Sequence, residues 1–188
     1  MAKQGELFGV NEPVVSGLAV VPDAVDAAEE RALSARIDTA PLAPFEFGQW
    51  RGKRLTTHYG RAYDFARGRL TEAPPLPDWL LALRGKLAPL AGLDPAALEA
   101  ALLIRYDRGA GIGWHRDRPQ YGEVLGLSLG TACTLRLRRR TEAGFERRSV
   151  PLPARSLYRL SDEVRWHWEH SIVPLEETRR SVTFRTLR

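Results

Sequence analysis

The feature that constrains the fold most is a series of short apolar or alternating runs that fills the chain from Ala101 onward. The runs are ALLIRYD, VLGLSLG, CTLRLRRR, FERRSVPLP, RSLYRLS, RWHWEHSIVP and RRSVTFRTL, and glycine, proline or aspartate separates most of them. Runs of this length, bounded by turn residues, predict β-strands. Seven or more strands at such short spacing predict a barrel or a roll of two sheets.

The residues before these strands predict helices. Residues 21–40 read as one helix that Asp23 caps, with Leu33 and Ile37 on its apolar face. A second helix is predicted from about Asp78, after prolines that prevent an earlier start. Its apolar face carries Leu80, Leu83 and Leu87. The segment LDPAALEA predicts a short third helix. Helices followed by strands predict an α+β fold.

Charge and cysteine content indicate what kind of partner and which cellular compartment suit the protein. The formal net charge of +5 suits an anionic partner such as nucleic acid, although arginine-rich composition also arises from genome bias. The single cysteine, Cys133, suits a reducing compartment and reads as a small buried side chain. The start MAKQGELFGV lacks the pattern of a secretion signal, and no apolar run reaches membrane-spanning length. We therefore expect a cytoplasmic, monomeric protein.

His115 and Asp117 form a pair that could hold a metal ion. In a strand, residues two apart point to the same face, so an imidazole and a carboxylate would lie side by side. His170 is the preferred third ligand, and His167 is the alternative. Two histidines and one carboxylate on one face leave three positions open on non-haem Fe(II). The alternative for His115 is a hydrogen-bonded residue at a strand end.

The last strand carries two arginines that could bind an anion. Arg179 and Arg185 share one face of an extended strand, and Ser181 lies between them on that face. On an inner face near a metal, the two arginines suit a small dicarboxylate. The same alternation also fits solvent-facing arginines with Val182 and Phe184 in the core. The spacing leaves both arrangements open.

Four motifs occur in a characteristic order: RYDRGAGIGWHRD, LGLSLG, SLYRLSDEVRWHWEHSI and RRSVTFR. Together they resemble the AlkB family of Fe(II)/2-oxoglutarate-dependent dioxygenases over about residues 40–188. The resemblance implies a double-stranded β-helix (jelly-roll) core over about 101–188, N-terminal supporting helices, and a nucleotide-recognition lid over about 41–68. Residues 17–188 would form one catalytic domain, preceded by a flexible arm over residues 1–16.

The resemblance also implies roles for particular residues. The iron ligands, which are also the catalytic residues, would be His115, Asp117 and His170. The residues that bind 2-oxoglutarate would be Tyr106, Arg179, Ser181 and Arg185. Two positions depart from the family pattern. Ile104 stands where the family commonly has an asparagine that touches the co-substrate, and Pro119 stands where the best-known demethylases have an acidic residue that meets the base.

The lid and an arginine-rich segment are the expected substrate contacts. The segment 45–65 interleaves aromatic and basic residues, as expected for stacking on a flipped or single-stranded base. Tyr59, Tyr63 and Phe65 are the candidates for the base. Arg140, in the run LRLRRRTEAGFERR, is the candidate for a phosphate contact. The alternatives are a second apolar core under the lid and a solvated hairpin.

The expected activity is oxidative demethylation of alkylated bases in DNA or RNA. Its cofactors would be Fe(II), 2-oxoglutarate and O2, and its products would be formaldehyde, succinate, CO2 and the repaired base. The sequence also allows two alternatives. The same iron chemistry could act on a protein or a small molecule, or the chain could be a nucleic-acid-binding module without catalysis.

Overall fold

The computed structural model describes residues 14–47 and 50–188, and within them the chain is mostly β-sheet. Its helices are α1 (Ala27–Asp38), α2 (Asp78–Leu90) and α3 (Asp162–His167), with a 3-10 turn at Pro95–Ala97. Its strands are β1 (Leu18–Val21), β2 (Ala43–Phe47), β3 (Trp50–Tyr59), β4 (Arg61–Asp64), β5 (Arg69–Glu72), β6 (Leu98–Tyr106), β7 (Ile112–His115), β8 (Tyr121–Gly130), β9 (Cys133–Thr141), β10 (Gly144–Leu152), β11 (Leu157–Leu160), β12 (Glu169–Ile172) and β13 (Arg179–Leu187).

Two antiparallel sheets form the core. The major sheet has the strand order β1-β11-β8-β13-β6-β3-β2, and the minor sheet has the order β10-β9-β12-β7. Strands that are distant in sequence are neighbours in both sheets, which is the arrangement of a double-stranded β-helix. A separate hairpin, β4-β5, follows β3. The predicted α+β jelly-roll is confirmed, with the helices as a minor component.

One face of the major sheet packs against the helices. The motif LGLSLG in β8 directs Leu125, Leu127 and Leu129 to this side, and β13 adds Val182 and Phe184. These side chains form one apolar cluster with residues of the helices, including Ile37, Leu80, Leu83 and Leu87. The predicted apolar faces of α1 and α2 are therefore the surfaces that support the sheet.

The opposite face of the major sheet looks toward the minor sheet. Small residues of β8 alternate with its leucines, so Ser128 and Gly130 pair with Ser181 and Arg179 on this inner side. Arg179 is only 1% exposed, which places it inside the roll. The arrangement with both arginines on the inner face is therefore the observed one, and the solvent-facing alternative is wrong for them; Val182 and Phe184 do pack in a core, on the opposite face of β13.

Three local predictions need correction. Asp26, not Asp23, caps α1: its carboxylate accepts hydrogen bonds from the backbone of Ala28 and Glu29, while Asp23 lies in a turn with a φ of 47°. The segment LDPAALEA is a 3-10 turn that leads directly into β6. The run RWHWEHSIVP is divided between a short helix and β12, and it is in the helix that His167 lies.

The arm predicted for residues 1–16 lies outside the described residues except for 14–16. Within that short part, Val15 is buried against the inner core, and Ser16 accepts a backbone hydrogen bond from Val164. Cys133 is a buried free cysteine, as predicted. Among the described residues, no helix is long and apolar enough to cross a membrane.

Gly126 makes room for an aromatic ring on the inner face, so Gly126→Ala tests this packing. A Cβ at this position would collide with the ring of Tyr158. We expect a loss of about 1–3 kcal/mol in the free energy of unfolding, measured in urea, because overpacking forces the ring to move. The control is Gly85→Ala in α2, where a Cβ meets nothing within 4 Å and helix propensity predicts a gain of up to about 1 kcal/mol. Equal effects of the two substitutions would contradict this account.

Candidate metal centre

The two sheets bring His115, Asp117 and His170 together. His115 ends β7 and His170 lies opposite it on β12, with the ring centroids 4.2 Å apart. Asp117 follows two residues after β7 ends, so a turn rather than a continuous strand places it beside His115. One ligand atom from each side chain lies within 4.8 Å of the other two. Among the described residues, this is the group of three or more metal-ligating side chains that the fold assembles.

Hydrogen bonding orients the ligand atoms toward a common point. The Nδ1 atom of His115 is 2.9 Å from the carbonyl oxygen of Gly113, and donating its proton there leaves Nε2 with a lone pair. Asp117 Oδ1 lies 3.8 Å from this Nε2 and 3.9 Å from Nε2 of His170. Two imidazole nitrogens and one carboxylate oxygen therefore face one another in a facial arrangement.

The electrostatics keep these groups in the states that bind metal. Burial and the neighbouring His115 lower the pKa of His170 to about 3, and burial also lowers the pKa of His115. Both rings are neutral near pH 7, as a metal ligand must be. Burial by itself raises the pKa of Asp117, but opposing interactions, of which the charge of Arg185 is the largest, outweigh it and hold this pKa below its usual range.

Arg185 bonds the carboxylate that the histidines share. Its Nε donates to Asp117 Oδ2 at 2.5 Å, and Oδ2 is the oxygen that does not face the imidazoles. Both side chains are nearly buried, at 11% and 7% exposure. Arg185 was predicted to contact the co-substrate. In the structure its contact is with the candidate ligand, so it acts as a positioning residue for Asp117.

The other predicted co-substrate residues meet farther along the inner face. Arg179 donates from Nε to Ser128 Oγ at 3.0 Å, and its guanidinium lies 5.2 Å from the centre of the Tyr106 ring. Arg179 Nη2 and Ser181 Oγ are buried with no hydrogen-bond partner. A buried cation with an unpaired N–H group calls for an anionic partner. These residues therefore fit one carboxylate of a bound dicarboxylate.

A cavity of about 490 Å³ opens directly over the three candidate ligands. Its walls include the predicted substrate residues Tyr63 and Phe65, whose ring centroids lie 5.1 Å apart. Tyr106 and Ile104 line the cavity as well, but the exposed Pro119 does not. The volume is within the range of small-ligand sites in proteins.

Two predicted substrate residues lie elsewhere. Tyr59 pairs with Ala101 on the helix-facing side of the major sheet and packs into that apolar cluster, so the structure does not bring it to the cavity. The physical reason is alternation: its neighbour His58 points to the other face and lines the cavity. Arg140 lines a second hollow, of about 630 Å³, on the outside of the minor sheet. Arg116 lines both hollows and so lies between them.

Several residues that line the cavity were not among the predicted site residues. Arg54 and His58 share the inner face of β3 with Thr56, and Arg118 follows Asp117 directly. Tyr158 reaches the cavity across Gly126. A signal for Arg54 was present, because the alternation in RLTTH places it on the same face as His58. The role of Tyr158 had no such signal, since it depends on pairing between β8 and β11.

Comparison with known families decides what this site is. The sequence profile of the family described as the 2OG-Fe(II) oxygenase superfamily matches residues 43–188. That range covers most of the chain and contains all three candidate iron ligands.

The chain belongs to the 2OG-Fe(II) oxygenase superfamily.

The relatives of this oxygenase are AlkB-like. It is 29% identical over 187 residues to a protein of Arabidopsis thaliana named "Alkylated DNA repair protein ALKBH8 homolog", covering 84% of this chain and 51% of that protein. The chain thus spans about half the length of this curated relative.

Solved structures share the fold at low sequence identity. The structure titled "The structure of OsALKBH1" superposes with a TM-score of 0.66 at 15% identity, covering 90% of this chain and 96% of that one. A Pseudomonas putida prolyl-4-hydroxylase superposes with a TM-score of 0.58 at 17% identity, covering 92% and 93%. At these identities the likeness concerns the double-stranded β-helix alone.

The cofactors of this superfamily are Fe(II), 2-oxoglutarate and O2, and the donor set of the oxygenase fits them. His115, Asp117 and His170 would hold the iron, and the unpaired Arg179 Nη2 and Ser181 Oγ would receive the distal carboxylate of 2-oxoglutarate. When bound, these cofactors supply the oxidant for a C–H hydroxylation while 2-oxoglutarate is converted to succinate and CO2. The chain itself orients the ligands and excludes water.

His115→Ala tests the metal centre. We expect iron-dependent succinate formation to fall by more than about 100-fold, because two ligands cannot hold the ion in a facial geometry. Titration with Co(II), followed by absorbance, should show the same loss of metal binding, and the urea midpoint should change little. The control is His167→Ala, which removes the exposed histidine at the end of α3. Equal activity of His115→Ala and His167→Ala would remove His115 from the site.

Arg179→Lys tests the co-substrate pocket. Lysine keeps the positive charge but cannot make a bidentate contact, so we expect the 2-oxoglutarate concentration for half-maximal rate to rise at least about tenfold. Arg180→Lys is the matched control, since Arg180 bonds Asp38 on the outer side at 2.8 and 2.6 Å. An unchanged 2-oxoglutarate requirement in Arg179→Lys would contradict the assignment.

Proposed function

We propose that this oxygenase removes alkyl groups from nitrogen atoms of nucleic-acid bases. One oxygen atom of O2 enters succinate and the other enters an N-alkyl C–H bond of the substrate. The resulting hemiaminal breaks its C–N bond, the nitrogen takes a proton, and formaldehyde leaves when the group is a methyl. The balanced products are the repaired base, formaldehyde, succinate and CO2.

The observation that carries this proposal is the wall of the cavity above the metal ligands. Phe45, Tyr63 and Phe65 form a cluster, with ring centroids 5.8 Å apart for Phe45 and Phe65. The rings, and the planar guanidinium groups of Arg54 and Arg118 that lie over them, offer flat surfaces that suit a planar base that has left its stack. The target would be a base in a single strand, or one flipped out of a duplex.

A basic outer face of the minor sheet supports a nucleic-acid substrate. We define this basic face as the arginines Arg136, Arg138, Arg140 and Arg147 with the rings Trp114 and Phe145. The guanidinium groups of Arg136 and Arg138 lie 4.9 and 4.5 Å from the centre of the Trp114 ring. Among the described residues, no carboxylate lies within ion-pair distance of Arg140 or Arg147, so their charges are available to phosphates.

The basic face and the cavity are adjacent, because they share a lining residue. Trp114 belongs to the basic face and also lines the cavity, while Arg116 lines both the cavity and the second hollow. A strand whose phosphates lie along the basic face would therefore present a neighbouring base to the cavity. The name of the Arabidopsis relative, which refers to repair of alkylated DNA, supports the same class of substrate.

A panel of methylated oligonucleotides tests the proposed function. Single-stranded and duplex DNA and RNA carrying N-methylated adenine, cytosine, thymine or uracil are incubated with Fe(II) and 2-oxoglutarate. We expect formaldehyde release and loss of one methyl mass by mass spectrometry for at least one base. Succinate formation without demethylation of any oligonucleotide would refute nucleic-acid dealkylation.

Variants of the basic face separate substrate binding from chemistry. In the double variant Arg140→Ala/Arg147→Ala we expect the KM for the oligonucleotide to rise about 3–10-fold at low salt, with a shallower salt dependence. The rate at saturating oligonucleotide should be retained, because neither residue touches the metal ligands. Arg31→Ala on α1 is the control, since it removes an exposed arginine from the helical side.

A further inference from the structure

The charges that line the cavity are strongly unbalanced. Among the described residues of its wall, the cations are Arg54, Arg116, Arg118 and Arg185, and the acidic residue is Asp117. Both carboxylate oxygens of Asp117 already have partners, because Oδ1 faces the imidazoles and Oδ2 accepts a hydrogen bond from Arg185. It therefore has no oxygen left with which to neutralise a positively charged substrate.

Cofactor binding does not reverse this imbalance. The two positive charges of Fe(II) and the two negative charges of 2-oxoglutarate cancel, and Arg185 opposes Asp117. The charges of Arg54, Arg116 and Arg118 remain, with no carboxylate within ion-pair distance among the described residues.

Arginines also cover the aromatic surfaces that could attract a cation. The guanidinium of Arg118 lies 4.9 Å from the centre of the Tyr63 ring and 4.7 Å from that of Phe65. Arg54 lies 4.2 Å from the centre of the Phe45 ring. Aromatic faces attract cations through their negative charge distribution, and here that attraction is taken up by the protein's own side chains.

The same arginines are donors that suit an uncharged base. A guanidinium offers several N–H groups in one plane, which match the carbonyl oxygens of a pyrimidine dione. A cationic base offers fewer acceptors on that edge and adds like-charge repulsion in a partly buried site, where screening is weak. Both effects favour binding of the uncharged base over the cationic one.

We infer that the cavity selects uncharged, carbonyl-bearing N-alkylated bases over alkylated bases that carry a fixed positive charge. This inference rests on the proposed function and specifies its substrate class. Arg54 and Arg118 are the specificity-determining residues: they repel a cationic base and donate to the carbonyl oxygens of a neutral one.

A matched pair of substrates tests the inference. Two single-stranded RNA oligonucleotides of identical sequence carry either 3-methyluracil or 3-methylcytosine at one position. Both have the methyl group on the same ring nitrogen, but 3-methylcytosine is a cation at neutral pH and 3-methyluracil is uncharged. We expect kcat/KM for demethylation to be at least about tenfold higher for 3-methyluracil. The same order should hold for equilibrium binding of the metal-free protein, followed by fluorescence anisotropy.

The result with the two matched RNA substrates can be distinguished from the result with the panel of methylated oligonucleotides. Equal rates, or a preference for 3-methylcytosine, would overturn the charge selection while leaving nucleic-acid dealkylation in place. No demethylation of any base in the wider panel would overturn the proposed function itself. A preference for 3-methyluracil supports both.

Variants identify the residues responsible. Arg118→Gln and Arg54→Gln each remove one cavity cation. We expect each variant to lower the ratio of kcat/KM for 3-methyluracil to kcat/KM for 3-methylcytosine at least about threefold. Arg61→Gln is the matched control, because Arg61 lies on the β4-β5 hairpin that also carries Tyr63 but outside the cavity wall, where it pairs with Glu72. A ratio that is unchanged in both cavity variants, or equally changed in Arg61→Gln, would refute the assignment to Arg54 and Arg118.

Discussion

The buried pair of Asp117 and Arg185 is the interaction on which the site depends. Asp117 follows a strand of the minor sheet, and Arg185 lies on β13, which is in the interior of the major sheet. Burial alone would favour a protonated carboxyl group, and the arginine reverses that preference. The pair keeps the carboxylate ionised, fixes which oxygen faces the histidines, and joins the two sheets at the metal centre.

The major sheet can carry this polar site because its two faces are chemically different. On β13 the apolar residues pack against the helices, while arginine, serine and threonine face the interior of the roll. Small residues on β8 leave the volume that Arg179 and Tyr158 occupy. The unpaired groups of Arg179 and Ser181 are tolerable in a folded protein if a ligand completes their hydrogen bonds, which is why they indicate the co-substrate.

Predictability differed among the site residues for a physical reason. The three candidate iron ligands and Tyr106, Arg179 and Ser181 could be proposed from motifs, because their chemistry fixes residue type and order along the chain. The substrate side depends on strand register. A shift of one position separates Tyr59, which packs on the helical side, from His58, which lines the cavity. Arg54 and Arg118 acquire their role only when the lid strands and the turn after β7 come together.

The sequence by itself determined the β-rich architecture, the apolar faces of the two main helices and the identity of the candidate metal ligands. These features are local or periodic, so strand alternation, helical periodicity and motif order indicate them. Tertiary structure alone decided which face of each strand meets the cavity, that Arg185 bonds Asp117, and that arginines cover the aromatic walls. These features arise from pairing between residues far apart in the chain, and electrostatic interactions depend on the distances and burial that such pairing creates.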